Sequence, residues 1–113
     1  MIMNEMAEDF MTLGIRKTTA KVLTCLMAAE GNRATSRKLE WETGLRQPEV
    51  SLALHGLQEW GWVTKTTERT GEGRIFRLAM DPKEIIAQVE AKYQREHGKA
   101  ESAIQRIRQA TPA

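Results

Sequence analysis

The chain has 113 residues, 41% of them apolar and 28% charged, with 17 Lys and Arg against 15 Asp and Glu for a formal charge of +2. That suits one small domain with one modest core and surface left over for a partner chain. A lone cysteine, Cys25, excludes an internal disulfide framework and a multi-thiolate metal site, and no run approaches the roughly 18 uninterrupted apolar residues of a membrane span.

Met3, Met6, Phe10 and Leu13 recur at helical steps and predict a first helix that Gly14 ends. The acidic stretch 1–10 is unlike the basic start of a signal peptide, so a cytoplasmic protein without membrane contact is expected. Thr18 is placed to cap a second helix over 18–30, with Val22, Leu23, Leu26 and Met27 inward and Gly31 as its stop. Cys25 lies near that apolar face and reads as a small buried hydrophobe. After the polar turn 31–33, Thr35 or Ser36 starts a helix of about two turns that carries Leu39 inward and ends at Thr43-Gly44.

Gln47-Pro48 opens the next helix, because proline's missing N–H costs nothing in the first turn. Val50, Ala53, Leu54 and Leu57 form its inner face, and it stops at Trp60-Gly61, where Trp60 and Trp62 read as structural anchors. Residues 62–68 and 74–79 are β-rich and flank Thr70-Gly71-Glu72-Gly73, which predicts a hairpin. Asp81-Pro82-Lys83-Glu84 carries the capping signature of a last helix. There Ile86, Val89, Tyr93, Glu96, Ala100, Ala103 and Ile107 follow steps of three and four, a heptad-like seam with one polar break, and Ile104 adjoins it. Gly98 leaves the continuity of this helix open, and the tail 111–113 is expected to fray.

Two short helices crossing over the Gly44-Leu45-Arg46 turn would bury Leu39, Leu45, Val50 and Leu57 together and leave the start of the second helix projecting. The expected fold is mainly α with a small β-hairpin wing. A winged helix-turn-helix with its N-terminal helix fills 1–80, and a dimerisation helix fills 81–113. A helix fits the DNA major groove with its N-terminal residues toward base edges. Arg46, Gln47, Glu49, Ser51 and His55 are the outward side chains there. Arg46 suits guanine and Gln47 adenine, while Glu49 would repel phosphate unless it accepts from cytosine. Leu52 could meet a thymine methyl or pack on a neighbouring helix. In the wing, Lys65, Arg69, Arg74 and Arg77 are candidate phosphate contacts, with Arg74 suited to a minor groove, and Arg37 joins the candidate set.

Three stretches carry a family resemblance. LGIRKTTAKVL (13–23) is similar to the opening of TrmB-like archaeal regulators. TGLRQPEVS (43–51), followed by LQEWGWV (57–63), resembles the recognition helix and strand entry of TrmB-like and MarR-like winged-helix proteins. GEGRIFRL (71–78) resembles a wing tip and returning strand. The resemblance implies a transcription regulator that binds double-stranded operator DNA as a dimer. Departures are Glu40, where such motifs often have alanine, and Leu52, where a polar or basic contact is common.

The homodimer surface is expected on the two terminal helices: Met6, Phe10, Leu13, Ile86, Val89, Tyr93, Ala100, Ile104 and Ile107. His55 and His97 have no partner at metal spacing, and there is no phosphate loop or nucleophile with its base, so neither metal, cofactor nor enzyme activity is expected. No small-molecule effector is readable. The rival class is a winged-helix protein-interaction module without DNA binding, which suits the +2 charge, Glu49 and Leu52.

Overall fold

The structure is a computed structural model that describes the backbone of residues 2–110 and the side chains of residues 5–96 and 106–110. The roles expected of the Met3, His97, Ala100, Ala103 and Ile104 side chains, and of the tail 111–113, lie outside the described residues. In chain order the elements are α1 (Ile2–Thr12), α2 (Lys17–Ala28), a 3-10 turn (Glu30–Asn32), β1 (Arg33–Thr35), α3 (Ser36–Thr43), α4 (Gln47–Glu59), β2 (Val63–Thr70), β3 (Gly73–Leu78) and α5 (Pro82–Ala110). This is a winged helix-turn-helix, mostly helical with a small antiparallel sheet.

α2 is the central helix: Val22, Leu23 and Leu26 are fully buried and meet Leu39 of α3 and Val50 and Leu57 of α4. Each such side chain contributes about 1.5–3 kcal/mol of burial free energy. The sharp α3–α4 turn depends on Gly44, which caps α3 in the left-handed region at φ 73° and donates its N–H to Glu40 O at 2.9 Å. A side chain there would be strained, so glycine is required. Thr35 caps the other end of α3 by accepting from Lys38 N at 3.1 Å.

The structure differs from expectation in several places. α2 starts at Lys17 with Arg16 in the N-cap position and no side-chain bond there, so Thr18 lies inside the helix rather than capping it. α2 also ends at Ala28, because the chain turns through 3-10 geometry at Glu30–Asn32, where Asn32 Nδ2 donates to Leu26 O and Met27 O. β1 was not foreseen. It pairs antiparallel with β3, Arg33 opposite Arg77 and Thr35 opposite Ile75, and makes the sheet three-stranded in the order β1-β3-β2. Trp62 is buried and donates its Nε1–H to Gln88 Oε1 at 2.7 Å, as an anchor should, whereas Trp60 is exposed.

α5 is one continuous helix through Gly98, started by Asp81, whose Oδ1 accepts from Lys83 N at 2.8 Å. Its buried stripe is Ile85 and Val89: Val89 of the expected seam turns inward, while Ile85 takes the place expected of Ile86, which is exposed. Two of the residues assigned to dimerisation are spent inside the chain: Phe10 and Val89 are 4% and 1% exposed in the core. Met6 and Leu13 pack against that same core, because α1 lies along α2. Tyr93 is half-buried, and Ile86 and Ile107 remain exposed. Among the described residues no helix is long and apolar enough to cross a membrane.

Candidate nucleic-acid interface

The start of α4 projects from the domain because its other face is occupied by Val50, Ala53, Leu54 and Leu57. Arg46, Gln47, Glu49, Ser51 and His55 are all exposed, as the spacing predicts. They are not equally free. Gln47 Nε2 donates to Ser51 Oγ at 2.8 Å, so the two are held as one polar unit on the outer face. Glu49 Oε1 accepts from the Arg46 backbone N–H at 3.1 Å and so satisfies one of the helix's open donors, with its charge favourably placed at the N-terminus. Glu49 is thereby committed to the helix itself. His55 Nε2 lies 3.0 Å from Glu59 Oε1. Leu52 is 67% exposed and lines a cleft of about 420 Å³ with Arg16, Thr18 and Trp60, toward the α1–α2 turn.

In the wing, β2 and β3 pair from Val63 opposite Leu78 to Thr70 opposite Gly73, with an irregularity between Lys65 and Arg69. Thr66 Oγ1 donates to Ile75 O at 2.8 Å within that irregular stretch. Lys65, Arg69 and Arg77 are exposed, while Arg74 is half-buried with its Nε enclosed and without an acceptor. The sheet sets two arginine pairs directly across from each other, Arg33 opposite Arg77 and Arg69 opposite Arg74. Like charges in that position destabilise a sheet. Glu68 relieves the first pair at 3.4 Å from Arg33, but no carboxylate reaches the second among the described residues.

Across residues 31–80 every acidic side chain but Glu40 has a partner within the chain, whereas of the lysines and arginines only Arg33 and Lys38 have a carboxylate partner among the described residues. Glu42 accepts from Cys25 Sγ at 3.2 Å and lies 3.9 Å from Lys38; Glu49, Glu59, Glu68 and Glu72 are held by Arg46 N, His55, Arg33 and Thr35 Oγ1. Arg37, Arg46, Lys65, Arg69, Arg74 and Arg77 have no carboxylate partner among the described residues. A carboxylate that accepts from a neutral N–H, hydroxyl or thiol keeps its charge, so the contrast is one of pairing and leaves the formal charge of +2 as it stands.

Cys25 is enclosed on α2, and burial, then the hydrogen bond and charge of Glu42, push its thiol up to about 12. At neutral pH it is a protonated, enclosed thiol rather than a reactive thiolate. Sequence reasoning missed Arg33, which the β1–β3 pairing brings onto the wing sheet, and Trp41, which is 87% exposed on α3.

No family model matches the chain, and no curated protein matches it. Its fold is similar to those of solved transcriptional regulators. One transcriptional regulator is 15% identical, with 97% of this chain and 76% of that chain covered at a TM-score of 0.64. A possible transcriptional regulator from Methanosarcina mazei Go1 is 16% identical, covering 93% of this chain and 88% of that one at 0.63. A MarR family transcriptional regulator from Streptomyces coelicolor, solved in complex with DNA, is 16% identical, covering 99% and 81% at 0.57. The likeness at such identities is one of fold.

Proposed function

We propose that this chain is a homodimeric transcription regulator of TrmB-like or MarR-like type that binds double-stranded DNA sequence-specifically. The 47–60 helix would occupy the major groove, and the 62–79 wing would lie on the flanking backbone or in the minor groove. The observation that carries the reading is the unequal use of charge: five carboxylates between Glu42 and Glu72 are held by internal donors, while Arg37, Arg46, Lys65, Arg69, Arg74 and Arg77 are left for an anionic partner. The Arg69–Arg74 opposition costs stability that a phosphate between them would return. The solved relative in complex with DNA supports the same assignment.

Dimerisation is supported by α5, whose 29 residues extend about 43 Å at about 1.5 Å per residue, and by the exposed Ile86 and Ile107 along it. A two-fold pair would set the two α4 helices about 34–36 Å apart on a palindromic site.

The test is fluorescence anisotropy of a labelled 30-base-pair duplex at several salt concentrations, with wild type and Arg46→Ala plus Arg74→Ala. The Arg46 side chain makes no cap bond, so its removal leaves α4 intact. The log–log salt slope is expected at several units for wild type and about two units shallower for the double variant. Exposed Leu52 favours the assembly-module reading instead, and that reading stands if wild type shows no binding at low salt but copurifies with a stoichiometric protein partner.

A further inference from the structure

Trp41 is 87% exposed, the most exposed large apolar side chain among those described. Tryptophan is costly to leave in water, and an indole so placed contributes little to the chain's own packing. Arg37 and Lys38 precede it on α3 by four and three residues, which sets all three on one side of the helix. With Glu42 and Glu72 they line a recess of about 560 Å³ between α3 and the wing turn. Thr35, the N-cap of α3, donates its Oγ1 to Glu72 Oε2 at 3.4 Å and ties the wing turn to this helix.

We propose that Trp41 and Arg37 form a third DNA-contacting element beside α4 and the wing. The indole packs on the sugar of the strand running between the two grooves, and the guanidinium takes the adjoining phosphate. The inference rests on the DNA-binding reading above and deepens it. Continuity of surface favours DNA over a protein partner here, since α3 lies between the wing turn and the start of α4, both of which that reading sets against the duplex. The recess holds Arg37 and Lys38 against Glu42 and Glu72, so its net charge favours neither occupant, and the phosphate contact falls to Arg37 alone. Arg37 has no carboxylate partner among the described residues, and the two acids of the recess are held, Glu42 by Cys25 and Lys38 and Glu72 by Thr35. An aromatic face accepts any sugar or base, so this element would anchor the protein without reading sequence.

The test uses the full chain and the same labelled 30-base-pair duplex, with Trp41→Ala, Trp41→Phe and Arg37→Ala. Acrylamide quenching of the indole emission is read in parallel, the Trp41 signal being the difference between wild type and Trp41→Phe. Trp41→Ala is expected to weaken binding about tenfold with the salt slope unchanged, since no charge is removed. Trp41→Phe should stay within about threefold, because it keeps an aromatic face. Arg37→Ala should make the slope about one unit shallower, and bound DNA should shield Trp41 from the quencher. If wild type binds with a steep slope while Trp41→Ala binds equally well and Trp41 stays quenchable in the complex, this inference falls alone and the face belongs to a protein partner. If wild type binds no duplex, both readings fall.

Discussion

Residues 5–80 supply nearly all of the core, whereas the described part of α5 adds only Ile85 and Val89 to it. Leu23, Leu26, Leu39, Val50 and Leu57 are all 0% exposed within the winged domain. α5 buries Ile85 and Val89 near its start, and from Glu90 onward none of its described side chains is buried. The two regions meet at a small joint, where Trp62 bonds Gln88, the tilted rings of Trp60 and Trp62 lie with centroids 4.9 Å apart, and Lys92 Nζ sits 4.3 Å above the Trp60 ring. The contrast separates two jobs. The winged domain carries its own folding free energy, and the outer part of α5 carries surface that, on the homodimer reading, becomes buried only in the assembly. A molecule measuring 67 × 24 × 23 Å is extended because of that outer helix, not because the domain is loose.

The largest effect should come from the domain's centre. Leu26→Ala is expected to cost about 2–5 kcal/mol in urea unfolding, from lost transfer free energy and the cavity left beside Leu23 and Leu57. The shift in midpoint should not depend on protein concentration. A cost under about 1 kcal/mol would mean that the domain's stability is borrowed from the assembly.

The second effect should come from the outer helix. Ending the chain after Glu96 keeps Ile85, Val89 and the Trp62–Gln88 bond, so the winged domain should still unfold cooperatively. Sedimentation equilibrium should then report a monomer where the full chain is a dimer. Duplex affinity should drop by about tenfold or more as the second recognition helix is lost from the complex. A full-length chain that sediments as a monomer would break the comparison at its root.

Most of the fold was legible because its elements announce themselves locally. α4 has Pro48 at its start and a clean inner face, α3 ends on Gly44, and α5 begins on Asp81-Pro82. What escaped notice depends on distant partners. β1 spans three residues, too few to show a period, and its strand partner is more than forty positions away, Arg33 opposite Arg77. The amphipathic stripes of α1 and α5 show that Phe10 and Val89 are buried by something, but the pattern is the same whether a partner chain or the chain's own core covers them. Ile85 and Ile86 are neighbours, and only the docking angle of α5 decides which turns inward. The candidate site was legible as a set of outward residues on α4 and the wing, yet its charge logic was not. Which carboxylates are held depends on side-chain contacts such as Glu42 with Cys25, seventeen residues apart.

Glu49 gives the smallest effect and tests that charge logic most directly. Its carboxylate accepts from Arg46 N, three residues earlier, although Arg46 is not one of the residues that usually mark a cap. Glu49→Gln keeps an acceptor for that N–H and removes only the charge, so thermal unfolding should change by a few tenths of a kcal/mol, the scale of a charge at a helix N-terminus. Duplex binding at low salt should tighten about two- to threefold, because one negative charge beside Arg46 is gone. The opposite outcome is equally informative. If Glu49→Gln leaves the helix intact but weakens binding to one sequence and not to others, Glu49 abandons its cap in the complex to accept from a cytosine amino group. The held acids between Glu42 and Glu72 would then include one that reads DNA, and their pairing within the chain would describe only the unbound protein.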